Sequence, residues 1–259
     1  KIHILLVGGG TGGHFYPLIS IGEALRTSSQ NIVLYYAGPD VYDADALAAQ
    51  NIYFVQIPAG KQRRYASLLN FFDIFKTLYG ACIAVLKLLS IYPDVIMSKG
   101  GYTSVPVILA AKFLRIPIVV HESDSLPGKA NKLAARFAET VVVSYPETHE
   151  LFDNSNVVHL GIPIRSALLA PQSEQPLQAF NIEANHPLIL VLGGSQGAER
   201  VNELILDSLD ELLPSFSIIH QTGKMNFEVC KSSADALILD DTLRSRYHPI
   251  AFLEGSELN

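Results

Sequence analysis

The stretch Ile-His-Ile-Leu-Leu-Val-Gly-Gly-Gly-Thr-Gly-Gly-His-Phe-Tyr-Pro, residues 2–17, decides the fold of this chain. Its apolar run shows no two-residue alternation, as expected of a parallel strand covered by helices on both faces. A glycine loop follows, and Pro17 predicts a helix that begins near Tyr16 with proline in its first turn. Glycines let the backbone approach a ligand closely, and free N–H groups at a helix start attract phosphate. The stretch therefore predicts an α/β fold with an anion-binding turn.

Similar β-branched runs recur along the chain, each followed by a helix-length stretch, which is typical of doubly wound parallel sheets. The predicted strands are Ile2–Val7, Ile32–Ala37, Ile52–Ile57, Val95–Ser98, Ile118–His121, Val141–Ser144, Val157–Leu160, Leu188–Leu192, Phe216–Gln221 and one near Tyr247–Leu253. The strands fall into two series, one ending with Val157–Leu160 and the other beginning with Leu188–Leu192. Between them, Ala167–Pro187 is rich in proline and glutamine. We therefore predict two domains, residues 1–163 and 164–259. The second is shorter than a usual domain and looks incomplete.

Two further glycine turns follow predicted strands, Lys99-Gly100-Gly101-Tyr102 and Gly193-Gly194-Ser195-Gln196-Gly197. In open α/β sheets, ligands bind at the carboxyl ends of the strands, where all three glycine turns are predicted to lie. Any one of them alone is equally well explained as an ordinary tight turn. Three together favour a ligand site with phosphates at more than one point.

The first loop also matches the dinucleotide pattern G-x-G-x-x-G at Gly8, Gly10 and Gly13, which is typical of NAD or FAD sites. An acidic residue should then bind the ribose, and Asp40 is the nearest candidate. Its Gly-Pro-Asp context is better explained as a turn. An NAD(P)-dependent oxidoreductase is therefore the alternative function.

Composition excludes several classes of protein. The net charge of −6 gives no general positive field for nucleic acid. Cys82 and Cys230 show neither metal-ligand spacing nor a disulfide pattern, which indicates a reducing cytoplasm. The longest run without a charged residue, Ile4–Gly22, contains the glycine cluster and Pro17, so it predicts no spanning helix, and no export signal opens the chain.

A basic cluster, Lys61, Arg63 and Arg64, precedes apolar residues at helical spacing. The apolar stripe consists of Leu68, Phe71, Phe72, Phe75, Leu78, Tyr79, Cys82 and Leu86. Such a stripe alone is usually the core side of a helix. The neighbouring cations favour peripheral attachment to an anionic leaflet, and both interpretations stay open.

Five motifs occur in the order found in one known family. They are the first glycine loop through His14, Lys99-Gly100-Gly101-Tyr102, His121-Glu122, Gly161-Ile162-Pro163-Ile164-Arg165 and Gly193-Gly194-Ser195-Gln196-Gly197-Ala198. With them the chain resembles, from Ile2 to about Leu253, the MurG family of bacterial N-acetylglucosaminyltransferases. That family converts lipid I into lipid II in peptidoglycan synthesis.

The resemblance implies two facing Rossmann-like domains of the GT-B type and an inverting, direct displacement without metal or cofactor. The implied partners are UDP-N-acetylglucosamine, lipid I and an anionic membrane surface, and other cell-wall synthesis proteins are candidates. The implied location is the cytoplasmic face of the plasma membrane. Asp43-Ala44-Asp45 resembles the metal-binding Asp-x-Asp of other glycosyltransferases, but its acidic residues are expected to begin a helix.

The resemblance also implies site residues. Those for the UDP-sugar are Thr11, Gly12, Gly13, Asp124, Arg165, Ser195 and Leu253. Those for the acceptor and its diphosphate are Gly10, Gly100, Gly101, Tyr102, His121, Glu122 and Asn131. Asp124 departs from the family's usual asparagine, which puts that contact in doubt because a carboxylate cannot donate as an amide does.

His14 is the predicted general base, because a helix N-terminus keeps imidazole neutral and able to accept a proton. Capping of the helix or phosphate binding are its other interpretations. His121 and Glu122 either orient the acceptor or form a buried hydrogen-bonded pair.

Family members continue beyond this sequence with a serine- and glycine-rich loop and with Glu and Gln residues that hold the sugar and ribose. The sequence is therefore interpreted either as part of an active enzyme or as a truncated chain that binds acceptor without turnover.

Overall fold

The computed structural model describes residues 1–61, 68–153, 156–169, 180, 182, 186–194 and 197–253. They form two compact units, one ending at Ser166 and the other beginning at Ala167. This structural division falls shortly after the predicted domain boundary between residues 163 and 164.

The first unit is built on a parallel sheet of seven strands. In chain order these are β1 Ile2–Gly8, β2 Ile32–Gly38, β3 Tyr53–Gln56, β4 Val95–Gly100, β5 Ile118–Glu122, β6 Thr140–Val143 and β7 Val157–His159. Their order across the sheet is β3-β2-β1-β4-β5-β6-β7. Strand order therefore reverses at β1 and β4, the place where open α/β sheets bind ligands.

Helices cover both faces of this sheet. They are α1 Gly12–Ser28, α2 Ala44–Ala49, α3 Leu68–Ile91, α4 Val105–Leu114 and α5 Lys129–Ala135, with short 3₁₀ turns at Tyr102–Ser104, Pro146–Leu151 and Ser166–Leu169. Leu5 and Val7 of β1 belong to the core that contains Leu88 of α3. Ile4 and Leu6 belong to a second core, with Leu18 of α1. Because successive residues of β1 are buried on opposite faces, the prediction of a doubly wound sheet is confirmed.

The start of α1 differs from the prediction. The helix begins at Gly12, and Pro17 lies inside it rather than in its first turn. Thr11 has extended backbone geometry and its carbonyl accepts hydrogen bonds from the N–H groups of His14 and Phe15. The free N–H groups of the first turn therefore belong to the glycine loop itself. At α2 the prediction holds, since the Asp43 carboxylate accepts from the N–H of Ala46 as the N-cap.

One helix in the described part of the chain, Phe71–Ile91, is long and apolar enough to cross a membrane, with a mean hydropathy of 1.7. The sequence predicts a helical apolar stripe here but no spanning helix, because Asp73, Lys76 and Lys87 interrupt the apolar run. One side of the helix, with Ala84 and Leu88, is buried in the core. The other side exposes Phe71, Phe72, Phe75, Leu78, Tyr79, Leu86 and Leu89. The helix therefore lies along the domain and presents an apolar face outward.

The second unit contains a smaller parallel sheet in the order β10-β9-β8, with β8 Leu188–Leu192, β9 Ser217–Gln221 and β10 Tyr247–Ile250. Its helices are α6 Glu199–Asp207, α7 Leu209–Leu212, α8 Phe227–Leu237 and α9 Asp241–Arg244. The central strand β9 is buried along its whole length. On β8, which is an edge strand here, Leu188, Leu190 and Leu192 share one face and are exposed.

Candidate active site

Most of the predicted site residues of the first unit come together where β1, β4 and β5 end. The loop after β1 carries Gly10 and Thr11 and passes into α1, and the turn after β4 carries Gly101 and Tyr102. A Cβ on Gly10, which has φ +91°, would lie 2.7 Å from the Tyr102 ring, and one on Gly101 would lie 2.7 Å from the Gly9 carbonyl oxygen. The two glycine loops thus pack against each other without room for side chains. We call this contact the glycine junction, Gly8–Gly13 with Gly100–Tyr102.

His14 lies in the first turn of α1, beside the glycine junction. Its Nδ1 is 2.8 Å from the Thr11 hydroxyl oxygen, and its Cδ2 is 3.6 Å from the position of a Cβ on Gly101. Burial, followed by the positive charge of Lys99, lowers the pKa of His14 below its ordinary 6.5, while Asp124 and Glu122 oppose this shift. The imidazole is therefore neutral at neutral pH and keeps one nitrogen able to accept a proton.

Glu122, at the end of β5, holds together the segment that follows it. The carboxylate is buried and accepts hydrogen bonds from the N–H groups of Asp124 and Gly128 and from the side-chain amide of Asn131, each at 3.0 Å. Asn131 also contacts the glycine junction, because a Cβ on Gly100 would lie 2.5 Å from its Oδ1. Glu122 thus fixes the position of Asp124, while the Asn131 oxygen is buried without a partner in the described part of the chain.

His121 is buried next to Glu122 but bonds elsewhere. Its Nε2 donates to the carbonyl of Gly161 at 3.0 Å, and burial, as the largest effect, lowers its pKa. The ring is therefore neutral, with Nδ1 as an acceptor that has no partner among the described residues. His121 and Glu122, for which a hydrogen-bonded pair was one interpretation of the sequence, therefore each form hydrogen bonds with other groups.

Arg165 lies near α1 rather than in the glycine junction. Its guanidinium carbon is 5.4 Å from the centre of the Tyr16 ring, a cation–π distance. The next residue, Ser166, donates from its N–H and hydroxyl to the Glu23 carboxylate of α1. The segment that contains Arg165 is thus fastened to the helix that carries His14.

In the second unit, the glycine loop after β8 lies at the carboxyl edge of its sheet. The backbone carbonyl of Gln221 accepts from the N–H of Gly193 at 3.2 Å, and its side-chain oxygen accepts from the N–H of Leu253 at 3.1 Å. Gln221 therefore connects the loop to Leu253, one of the predicted UDP-sugar contacts. Ser195, predicted to meet the nucleotide, lies outside the described residues.

Lys99 and Gln221 are the residues at these edges that the sequence analysis did not single out. Lys99 was predicted only as part of a glycine motif, because lysine is almost never fully buried and its burial could not be expected from sequence. Its Nζ donates to the Ser123 hydroxyl at 2.7 Å, and its side chain is 1% exposed. Nothing in the local sequence around Gln221 marks it, since its contacts depend on how the strands are ordered.

Comparison with known proteins identifies the family. Residues 4–143 match the glycosyltransferase family 28 N-terminal domain, and residues 188–253 match the glycosyltransferase family 28 C-terminal domain. A UDP-N-acetylglucosamine--N-acetylmuramyl-(pentapeptide) pyrophosphoryl-undecaprenol N-acetylglucosamine transferase of Treponema denticola is 36% identical over 97% of this chain and 67% of its own length. The transferase of the same name from Clostridium botulinum strain Alaska E43 is 39% identical over 88% of this chain and 63% of its own. The chain thus spans about two thirds of the length of these relatives.

Solved structures agree on the fold. Acinetobacter baumannii MurG has a TM-score of 0.68 at 24% identity and is matched over 100% of this chain and 71% of its own. A UDP-GlcNAc 2-epimerase from Neisseria meningitidis, bound to UDP-GlcNAc, has a TM-score of 0.64 at 17% identity over 98% of this chain and 72% of its own. The predicted GT-B architecture with a partial second domain is therefore confirmed. The family matches favour a glycosyltransferase over the oxidoreductase alternative. The chain belongs to glycosyltransferase family 28, among its MurG-like members.

Proposed function

We propose that this chain carries the acceptor side and part of the donor side of an N-acetylglucosaminyltransferase that uses UDP-N-acetylglucosamine and lipid I to form lipid II. The observation that carries the proposal is the glycine junction with a neutral histidine at its rim. Relatives named for this reaction match nearly the whole chain. The same junction offers free backbone N–H groups for a diphosphate.

In this proposal His14 removes the proton from the attacking hydroxyl of the acceptor. If its Nδ1–H donates to the Thr11 oxygen, Nε2 is left free to accept that proton. The hydroxyl then displaces UDP in one step with inversion at the sugar carbon. Backbone N–H groups of the glycine loops stabilise the charge that develops on the diphosphate.

Other predicted residues take supporting positions. Thr11, Gly12 and Gly13, with Arg165, Ser195 and Leu253, remain proposed UDP-sugar contacts. Asp124 is held by the Glu122 carboxylate through its backbone N–H, and the residue is exposed, so its own carboxylate is available to accept from a ligand hydroxyl. Gly10, Gly100, Gly101, Tyr102, His121 and Asn131 remain proposed acceptor contacts, with Glu122 positioning the loop between them.

We also propose that α3 places the protein on the cytoplasmic face of the membrane. Its outward side carries several exposed aromatic and aliphatic residues, as an interfacial helix requires. Lys61, which precedes the helix in the sequence, is exposed and suits an anionic leaflet. Arg63 and Arg64, the other predicted cations, lie outside the described residues.

The proposal is tested by transfer of radiolabelled N-acetylglucosamine from its UDP form to a lipid I analogue. Two proteins are compared, the 259-residue chain and a chimera to which the remaining C-terminal part of the Treponema denticola transferase is joined after Leu253. Transfer by the chimera supports the proposal, and transfer by the shorter chain as well shows that its own residues suffice. If the folded chimera makes no product, the assignment of this reaction is wrong.

The truncated, non-catalytic alternative predicts a different result. In that case the 259-residue chain shifts its melting temperature with the lipid I analogue but not with UDP-N-acetylglucosamine, since a ligand stabilises only the unit that binds it.

A further inference from the structure

Lys99 occupies an irregular position in the sheet, directly below the first glycine loop. Across β1 and β4, Val7 pairs with Ser98 but Gly8 pairs with Gly100, so Lys99 is an extra residue in β4. Bulges of this kind redirect a side chain, often next to an active site. A Cβ on Gly8 would lie 2.8 Å from the Cβ of Lys99, so the absence of a side chain at Gly8 leaves space for the lysine.

The ammonium group of Lys99 is buried with few partners. Its Nζ donates to the neutral Ser123 hydroxyl. This hydrogen bond uses one of the three N–H donors of the ammonium group. Within the described ranges, no carboxylate oxygen comes within 4.0 Å of it. The nearby Glu122 carboxylate is engaged by the Asp124, Gly128 and Asn131 donors described above. Burial of a cation in this way is costly unless an anion joins it.

Two further features of the same junction suit an anion. The Thr103 hydroxyl is buried without a partner in the described structure, and it lies 3.2 Å from the Cβ position of Gly9. The first turn of α1 adds its free N–H groups and the positive end of its dipole. A buried lysine, an unpaired hydroxyl and a helix start therefore all lie against the same glycine loop, at Gly8, at Gly9 and at Gly12.

We propose that the Lys99 ammonium is the fixed cation of a diphosphate site at the glycine junction. The inference rests on the proposed function for the identity of the ligand, because either the acceptor lipid or the UDP-sugar brings a diphosphate. Lys99 thus supplies the positive charge that binds the diphosphate.

The first test measures binding of inorganic pyrophosphate to the 259-residue chain by isothermal titration calorimetry, which needs no transfer activity. Lys99→Met keeps the length of the side chain and removes its charge, so we expect binding at least tenfold weaker. Lys132→Met, on the exposed face of α5, is the matched control and should bind as the unsubstituted chain does. Equal affinity in Lys99→Met and the unsubstituted chain overturns the proposal.

A second variant separates charge from structure. Ser123→Ala removes the partner of Lys99 without removing the cation, so pyrophosphate affinity should be kept within about twofold. If Ser123→Ala loses affinity as Lys99→Met does, Lys99 only holds the Ser123 segment in place and the proposal fails. Lys99→Gln repeats the measurement if Lys99→Met melts at a lower temperature.

The ligand source is resolved by comparing UDP with farnesyl diphosphate on the same variants. A loss confined to farnesyl diphosphate assigns the cation to the acceptor, a loss confined to UDP assigns it to the donor, and no loss with either contradicts the site. Weaker pyrophosphate binding with an inactive chimera would leave the site standing and remove only the transferase proposal.

Discussion

His14 shows how neighbours decide the chemistry of one residue. The sequence places it at a helix start, and that alone predicts a neutral imidazole. The structure adds partial burial and the Lys99 cation, which is brought close only by the pairing of β1 with β4. The histidine itself could be predicted from the motif, but the lysine could not, because the contact depends on strand order and on the bulge.

Substitution of His14 by asparagine should lower kcat for transfer by about 10²–10⁴, the usual contribution of a general base. The KM for UDP-N-acetylglucosamine should change little, since the side chain acts on the acceptor hydroxyl. Because the pKa of His14 lies below 6.5, kcat/KM of the unsubstituted chimera should stay level at neutral pH and fall only at more acidic pH, as the imidazole takes up a proton. Steady-state kinetics of the chimera and its His14→Asn variant across this pH range check these expectations.

His149, which is exposed on the turn Pro146–Leu151, provides the matched control. His149→Asn should leave kcat and its pH profile unchanged. Full activity in His14→Asn would exclude His14 as the base and leave helix capping or phosphate binding as its role.

A second histidine, His220, predicts how stability depends on pH. It is fully buried in β9, with Nδ1 2.9 Å from the Tyr247 hydroxyl and Nε2 3.0 Å from Asn202 Oδ1, and burial lowers its pKa to about 4. Between pH 6.5 and about 4 the unfolded chain binds a proton that the folded chain does not. The free energy of unfolding of this unit should therefore decrease as pH falls, by at most about 1.4 kcal/mol per pH unit.

Hydrogen exchange of the β9 amides at pH 7 and pH 5 measures this change in the second unit alone. His220→Gln should be less stable at pH 7, because the ring and its two contacts are lost, but its pH dependence should be shallower. The free energy of unfolding of His220→Gln will still depend on pH to some extent, since burial also lowers the pKa of His248. An identical slope in both proteins would show that His220 is not the titrating group.

Among the elements, strands could be predicted well and helix ends less well. Strands such as Leu188–Leu192 follow directly from continuous apolar runs. The start of α1 could not be predicted, because Pro17 suits a first turn by propensity whereas the helix begins at Gly12 in the structure. The environment of the exposed side of α3 could not be predicted either, since an apolar stripe has the same sequence pattern whether it faces a core or a membrane.

The outward side of α3 makes a prediction about membrane attachment. Leu86 of α3 and Leu204 of α6 are both 64% exposed, so they form a matched pair on two helices. Leu86→Ser should weaken binding to vesicles that contain phosphatidylglycerol by roughly tenfold, because burial of one leucine is lost. Leu204→Ser should have no effect. Cosedimentation with vesicles gives the two affinities, and equal losses would contradict the assignment of α3 as the membrane-facing element.

At the scale of the whole molecule, the two units differ in how completely their sheets are covered. In the first unit β1 lies between β2 and β4, and its residues are buried on both faces. In the second unit the equivalent strand before a glycine loop, β8, pairs only with β9 in the described structure. The sequence of β8 predicts a strand with both faces covered, since it lacks alternation. Its exposed leucines therefore mark a surface suited to further polypeptide.

Strand β8 should make the 259-residue chain self-associate. Its sequence Leu-Ile-Leu-Val-Leu has no charge or proline, the features with which natural edge strands resist pairing. We expect the apparent mass in sedimentation velocity to rise with protein concentration, and Leu190→Lys, at the exposed centre of the strand, to suppress the rise. Leu239→Lys, at an exposed leucine outside any strand, is the control and should associate as the parent does. The chimera should remain monomeric, because its added polypeptide can pair with β8 and cover the leucines. Association that persists in Leu190→Lys would exclude this edge as the contact.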